Sequence, residues 1–315
     1  MRGSYHPGYV VPLPEGHAFP MAKFAALRDL LLAEGVVRAE DVVEPREAEW
    51  ADLGLVHTAR YLDALAGGTM TRAEVRRMGL PWSPALVRRS RLAVQGTINA
   101  CLMAVMDGVA GNLAGGTHHA MPDHAEGFCV LADVAVAARV LQRSGWIARA
   151  LVIDCDVHQG NGNAAIFGGD RAWPQGGVFT LSVHGEKNYP FNKPPSTCDV
   201  PLPDGTSDAA YLAALERHLP RALAEADPDL VFYLAGVDVL AGDRYGRLAL
   251  TPEGLAARDR FVVQAVRDAG APLCLLLSGG YAESPPMTAH LHAHVYREAA
   301  RAYGTSRPRS KALPE

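Results

Sequence analysis

Three things are scarce in this chain: paired cysteines, long apolar runs and blocks of like charge. Each scarcity removes a class of protein. The five cysteines (Cys101, Cys129, Cys155, Cys198 and Cys274) are scattered over 315 residues with no CxxC spacing. That argues against a disulfide scaffold and a thiolate zinc site, and it suits a reducing compartment. No segment approaches the ~18 apolar residues of a membrane span. The opening MRGSYHPGYVVPLPEGH has no apolar core of the signal-peptide kind. With net charge −4, 20% charged residues and a pI near 6.3, there is no basic surplus for nucleic acid and no charged tail. Repeats, low-complexity tracts and Pro/Gly/Ser linkers are also absent, and Met1–Ser4 is given no structural weight. The expectation is a soluble cytoplasmic protein that contacts neither nucleic acid nor membrane.

What is present is a large apolar complement, 49% of the residues, enough for one sizeable core. Short apolar runs at 151–153, 178–183, 230–234 and 273–277 lack polar alternation and read as strands buried on both faces. Helical spacing at 211–226 and 253–269 separates them. The N-terminal third reads as mostly helical, over 21–34, 59–66 and 84–106. The proline-bearing stretch 185–206 reads as loop. Together these predict a single α/β domain over 1–315, three-layered, with a central and mostly parallel sheet flanked by helices.

Ligands of such sheets bind beyond the carboxyl ends of the strands. Polar motifs stand there at four places: GGTHH (115–119), DCDVH (154–158), GVD (236–238) and SGGY (278–281). The second runs on into Gly160-Asn161-Gly162-Asn163-Ala164-Ala165, which fits the glycine fingerprint of a dinucleotide turn. Two carboxylates just ahead of those glycines would repel a diphosphate, so a metal is the better reading. Residues two apart in an extended chain point the same way, so Asp154, Asp156 and His158 can face one point, and Asp238 can approach from a neighbouring strand. Carboxylates with one imidazole suit zinc, or iron(II), and leave positions open for water and substrate. The plainer account, helix caps and core polar groups, is weakened by the second strand-end Asp. His118 and His119 are suited to proton transfer rather than joint ligation, against the alternative of ordinary loop histidines. Tyr281 can donate to an oxyanion or simply pack in the core.

These motifs, with GFC (127–129) between the first two, stand in the order found in the histone deacetylase family, and the chain resembles that family and its arginase/deacetylase fold. HQGNG (158–162), LPWSPALVRRS (80–90) and LAGVDVLAGDRYGRL (234–248) resemble the class IV branch and its bacterial relatives. The resemblance implies zinc ligands Asp156, His158 and Asp238, the histidine pair His118 and His119, and Tyr281 as oxyanion donor. It implies Asp154 as the partner of His118 and Gly127 with Phe128 as one wall of an acyl-lysine tunnel. Tyr189 would face that wall, and Gly279 and Gly280 would also contact substrate. It further implies a structural potassium ion held around Asp154, Asp156 and His158 with the Ser182 hydroxyl. Asn161 stands where many members carry Asp. An amide orients an imidazole without offsetting its charge, so His119 should be harder to protonate than His118.

The implied activity is hydrolysis of an N-acyl amide by metal-activated water, on acetyl- or fatty acyl-lysine in proteins. An acetylpolyamine or other small acylated amine is the alternative substrate, and a noncatalytic acyl-lysine-binding module is the alternative of another class. Other features read as bland. These are a helix face at His290 and His294, a structural or rim role for His57, His184 packed near the implied potassium, and inert buried thiols at Cys129 and Cys155. The basic run Arg72, Arg76, Arg77, Arg88, Arg89, Arg91 reads as a solvated helix face, with a place at a pocket mouth as the alternative.

Overall fold

Strands that are apolar on both faces must be covered on both, and the molecule is built around that requirement. A computed structural model describes residues 1–168 and 176–304. All the anticipated strands are present: β4 (Arg149–Asp154), β5 (Gly177–Gly185), β7 (Leu230–Leu234) and β8 (Leu273–Leu276). Every residue of β7 is 0% exposed, as its unbroken apolar run requires. Four further strands complete the sheet: β1 (Arg2–Ser4), β2 (Val42–Val43), β3 (Val109–Asn112) and β6 (Cys198–Leu202). The eight strands lie in the order β2-β1-β3-β8-β7-β4-β5-β6, and every pairing is parallel.

Two expectations need correction. The N-terminal third is mostly helical as expected, but Arg2–Ser4 is structural: it forms the strand between β2 and β3. The stretch read as loop, 185–206, contains β6. Proline lacks a ladder donor, but β6 is an edge strand, where Pro201 can sit. Strands of two to five residues also carry too little periodicity to be read in advance.

Among the described residues ten helices flank the sheet: α1 (Lys23–Ala33), α2 (Trp50–Leu53), α3 (Ala59–Gly67), α4 (Arg72–Met78), α5 (Pro84–Asp107), α6 (Asp133–Arg143), α7 (Asn161–Phe167), α8 (Asp208–Ala226), α9 (Pro252–Asp268) and α10 (Pro285–Tyr303). The longer ones start where local chemistry dictates. Ser83, Thr251 and Ser284 each accept a backbone N–H of the first turn, and each is followed by a proline that needs no donor there. No helix among the described residues is long and apolar enough to cross a membrane.

Two consequences position the site. The four motif-bearing loops follow β3, β8, β7 and β4, which are adjacent in the sheet although β3 and β8, and β7 and β4, are not consecutive in the chain. Leu276, Leu234, Asp154 and Ser182 also stand in register across β8, β7, β4 and β5. DCDVH, GVD and SGGY therefore leave the sheet from one common edge. Beneath that edge Arg258 of α9, 0% exposed, donates to the carbonyls of Gly236 (2.6 Å) and Cys155 (3.3 Å) and pairs with Asp259. It ties the ends of β7 and β4 together.

Candidate metal centre and acyl pocket

The three acidic and imidazole donors converge. His158 Nδ1 lies 2.9 Å from Asp156 Oδ1 and 3.3 Å from Asp238 Oδ2. Donor atoms bonded tetrahedrally to one ion at ~2.0–2.1 Å stand ~3.3 Å apart, so the spacing is that of a small divalent cation's ligands. Asp238 Oδ2 is fully buried and has no hydrogen-bond partner, an arrangement that is costly unless a cation satisfies it. Among the described residues this is the one cluster of three or more such groups placed to hold a metal.

The remaining carboxylate oxygens are held by backbone and hydroxyl donors. Asp238 Oδ1 accepts from Val157 N, while Asp156 Oδ2 accepts from Gly279 N and Ser278 Oγ. Gly279 is required for this: a Cβ there would overlap Asp238 Oδ2 and come within 2.6 Å of Asp156 Oδ2. Burial, reinforced by Asp156, pushes the Asp238 carboxyl up to about 7. Burial opposes charge on His158, but Asp156 and Asp238 outweigh it and raise the imidazole to about 10. A divalent cation placed among these groups would displace that proton.

The glycines after DCDVH serve this loop and not a phosphate. The N–H groups at the start of α7, those of Gly162 and Asn163, are given to the carbonyl of His118 (2.8 and 3.2 Å). The helix terminus a diphosphate would need is thus occupied, and it fixes the histidine loop instead.

His118 and His119 lie side by side, ring centroids 4.1 Å apart, closer than two side chains directed apart along an extended loop. His118 Nδ1 meets Asp154 Oδ2 at 2.8 Å, and His119 Nδ1 meets Asn161 Oδ1 at 2.5 Å. Burial lowers both, but the Asp154 and Asp156 carboxylates reverse this for His118 and hold it at about 9. His119, with only an amide and two neighbouring histidines, is driven well below the usual imidazole range. The two histidines thus differ because His118 has the Asp154 carboxylate against its ring, whereas burial, His118 and His158 outweigh the Asn161 hydrogen bond at His119.

Both rings open into a cavity of about 360 Å³ together with Asp156, His158, Gly127, Phe128, Tyr189, Gly279 and Tyr281. Phe128 holds a left-handed backbone (φ 67°) between Met78, whose carbonyl its N–H reaches, and the cavity, a conformation sustained only by the packing around it. Tyr189 stands edge-on to His119 at 5.1 Å. Burial, with Asp156 and Asp238 nearby, raises the Tyr281 phenol well above its ordinary range, so it remains a donor. Gly280 is not among the residues that line the cavity; a Cβ there would run into Val237, His292 and Thr288. Ser182, in register with Asp154, has its hydroxyl 2.9 Å from His184 Nδ1.

Several lining residues were not legible in sequence. Phe19, Phe24 and Tyr245 add aromatic walls. Arg89 belongs here too, which corrects its assignment to a solvated face: it is 4% exposed, with its guanidinium 4.9 Å from the Phe24 ring. Arg77 also borders the cavity. The bland readings of other features fit. Cys129 and Cys155 are buried thiols whose ionisation burial suppresses. His57 accepts from Ala132 N and reaches the Met121 carbonyl, a structural bridge.

Residues 17–297 match the histone deacetylase domain. The chain is 46% identical over 95% of its length to an uncharacterised protein of Picosynechococcus, covering 98% of it. It is 32% identical to histone deacetylase 2 of Arabidopsis thaliana over 85% of this chain and 70% of that one. The fold superposes on an acetylpolyamine aminohydrolase from Burkholderia pseudomallei with a TM-score of 0.75, at 23% identity, over 97% of this chain and 99% of that one. Sequence, fold and a donor cluster at the shared strand edge therefore agree: this chain is a hydrolase belonging to the histone deacetylase domain family.

Proposed function

We propose that the protein is a metal-dependent deacylase that hydrolyses the amide of an acylated lysine side chain, with zinc, or iron(II), held by Asp156, His158 and Asp238. The observation that carries this reading is the buried, unpartnered Asp238 Oδ2 facing His158 Nδ1 at the base of an aromatic cavity. When bound, such a cation acidifies water and polarises a carbonyl.

The chain's own groups supply the remainder. His119, kept neutral by burial, takes the proton from the attacking water and returns one to the departing amine. His118, held by Asp154, carries positive charge that steadies the oxyanion developing on the substrate carbonyl. Tyr281 donates its hydroxyl to the same oxygen. Phe128 and Tyr189 flank the aliphatic stem. Ser182 beside Asp154 is the place for the structural potassium that the family resemblance implies.

The lining favours acyl-lysine over acetylpolyamine. Among the described residues that line the cavity Asp156 is the one carboxylate, and it and Asp238 at the base are taken up as metal ligands, whereas Arg77 and Arg89 are both there, a field that repels a polycation. Metal-stripped protein reconstituted with zinc or iron(II) should cleave acetyl- or long-chain acyl-lysine peptides in preference to acetylpolyamines, and a chelator should abolish the activity reversibly. Metal-independent turnover, or none on any acylated amine, would refute the proposal.

A further inference from the structure

The carboxylate that Asn161 lacks is present one amide further out. Glu126, in the turn just before Phe128, has a side chain only 15% exposed. Its Oε1 accepts from Asn161 Nδ2 at 3.0 Å and also from the Tyr189 hydroxyl, while Oε2 lies 3.2 Å from His124 Nε2. Its backbone is pinned by paired hydrogen bonds with Cys129, and the N–H groups of the next two residues are given to the Arg77 and Met78 carbonyls of α4. The carboxylate is thus held in place by the same turn that forms the cavity wall.

The donor and acceptor inventory of this chain has one solution. A carboxylate only accepts, so Asn161 must turn its NH₂ towards Glu126 and its oxygen towards His119. An amide oxygen only accepts, so His119 must carry its proton on Nδ1. In the neutral ring Nε2 is then left as the proton acceptor. Turning the amide over would set its oxygen against the carboxylate and its NH₂ against His119 Nδ1, which would invert the tautomer.

We propose that Glu126 is a positioning residue: acting through Asn161, it fixes His119 as the Nδ1–H tautomer with Nε2 available, and its bond to Tyr189 joins this proton chain to the cavity wall. Its kinetic consequence rests on the deacylase reading above; the tautomer itself does not.

The test is a pair of substitutions in the metal-loaded full chain, read by ¹⁵N NMR of labelled histidines and by kinetics on an acyl-lysine peptide. In the parent protein His119 should show a protonated Nδ1 and a bare Nε2. Glu126→Gln lets the Asn161 amide rotate, so the single tautomer should be lost and kcat should fall about 10–100-fold with KM little changed, as for other outer partners of a metal site. Asn161→Asp alone sets two carboxylates against each other and should also be impaired. Combining it with Glu126→Gln should restore both the tautomer and most of kcat, because the carboxylate introduced at position 161 then accepts from His119 Nδ1 directly, while the amide introduced at position 126 donates to that carboxylate. An unchanged tautomer in Glu126→Gln, or a double variant no better than the single, would overturn the proposal. Loss and recovery of the tautomer in a protein that hydrolyses no acyl-lysine peptide would support this inference and refute the proposed function.

Discussion

Arg258 offers a sharp test of how the strand ends are held. Its guanidinium is fully buried, bonded to two carbonyls at the ends of β4 and β7 and to Asp259, which also accepts from the Tyr233 hydroxyl (2.6 Å). Arg258→Met keeps much of the volume but strands the Asp259 carboxylate, 1% exposed, with Tyr233 as its remaining partner. Removing one partner of a buried ion pair costs about 3–5 kcal/mol, whereas replacing both is often close to neutral. In Arg258→Met/Asp259→Asn the ionic part should vanish and only the two deprived carbonyls should count, at about 1–3 kcal/mol each, a cost the single variant bears in addition to its stranded carboxylate. Urea unfolding of the metal-free protein at pH 7 should rank the parent above the double variant and the double variant above the single. Because Cys155 directly precedes Asp156, and Gly236 stands two residues before Asp238, the single variant should also bind zinc about 10–100-fold more weakly. A loss under about 1 kcal/mol in the single variant, or a double variant less stable than the single, would refute the clamp.

Other outcomes follow from the same geometry. Tyr281→Phe should bind zinc normally while kcat falls about 10²–10³-fold, the effect of one lost oxyanion donor; near-full activity would remove the phenol from the mechanism. Gly279→Ala should abolish metal binding measured by calorimetry while circular dichroism stays native, since its Cβ would displace both ligand carboxylates. Burial lowers His57 to about 4, so between pH 6.5 and 4 the unfolded chain binds the extra proton. Its contribution, of order 3 kcal/mol, is complete above pH 6.5 and is lost as pH falls through that window. His57→Gln, which can keep both hydrogen bonds, should flatten the decline of the urea midpoint there; identical slopes would contradict it.

Much of the site was legible because its residues stand at strand ends in short, dense motifs. DCDVH concentrates ligand-type side chains at a strand end, although β4 stops at Asp154, which turns to His118, and a bend over 156–158 rather than strand alternation presents Asp156 and His158 together. An unbroken apolar run such as LVFYL demands burial on both faces. Single positions without a pattern were opaque. Arg89 shares its helix with Arg88 and Arg91, and nothing local distinguishes the one that turns inward beneath Phe24. β1 and β2 are too short to show a period, and β6 carries a proline that only an edge position tolerates.

The amino-acid sequence by itself determined the class of fold and the ligand types, because these follow from residue chemistry and local spacing. The protonation asymmetry between His118 and His119 came from the family resemblance, since their partners Asp154 and Asn161 stand 36 and 42 positions away. The tertiary structure decided what depends on distant segments meeting: that β3, β8, β7 and β4 are neighbours, that Arg258 ties two of their ends, and that Glu126 reaches His119 through Asn161. Glu126 and Asn161 stand 35 positions apart. A hydrogen bond between them carries no local periodicity, so it arises only when parallel strands bring their trailing loops to one edge.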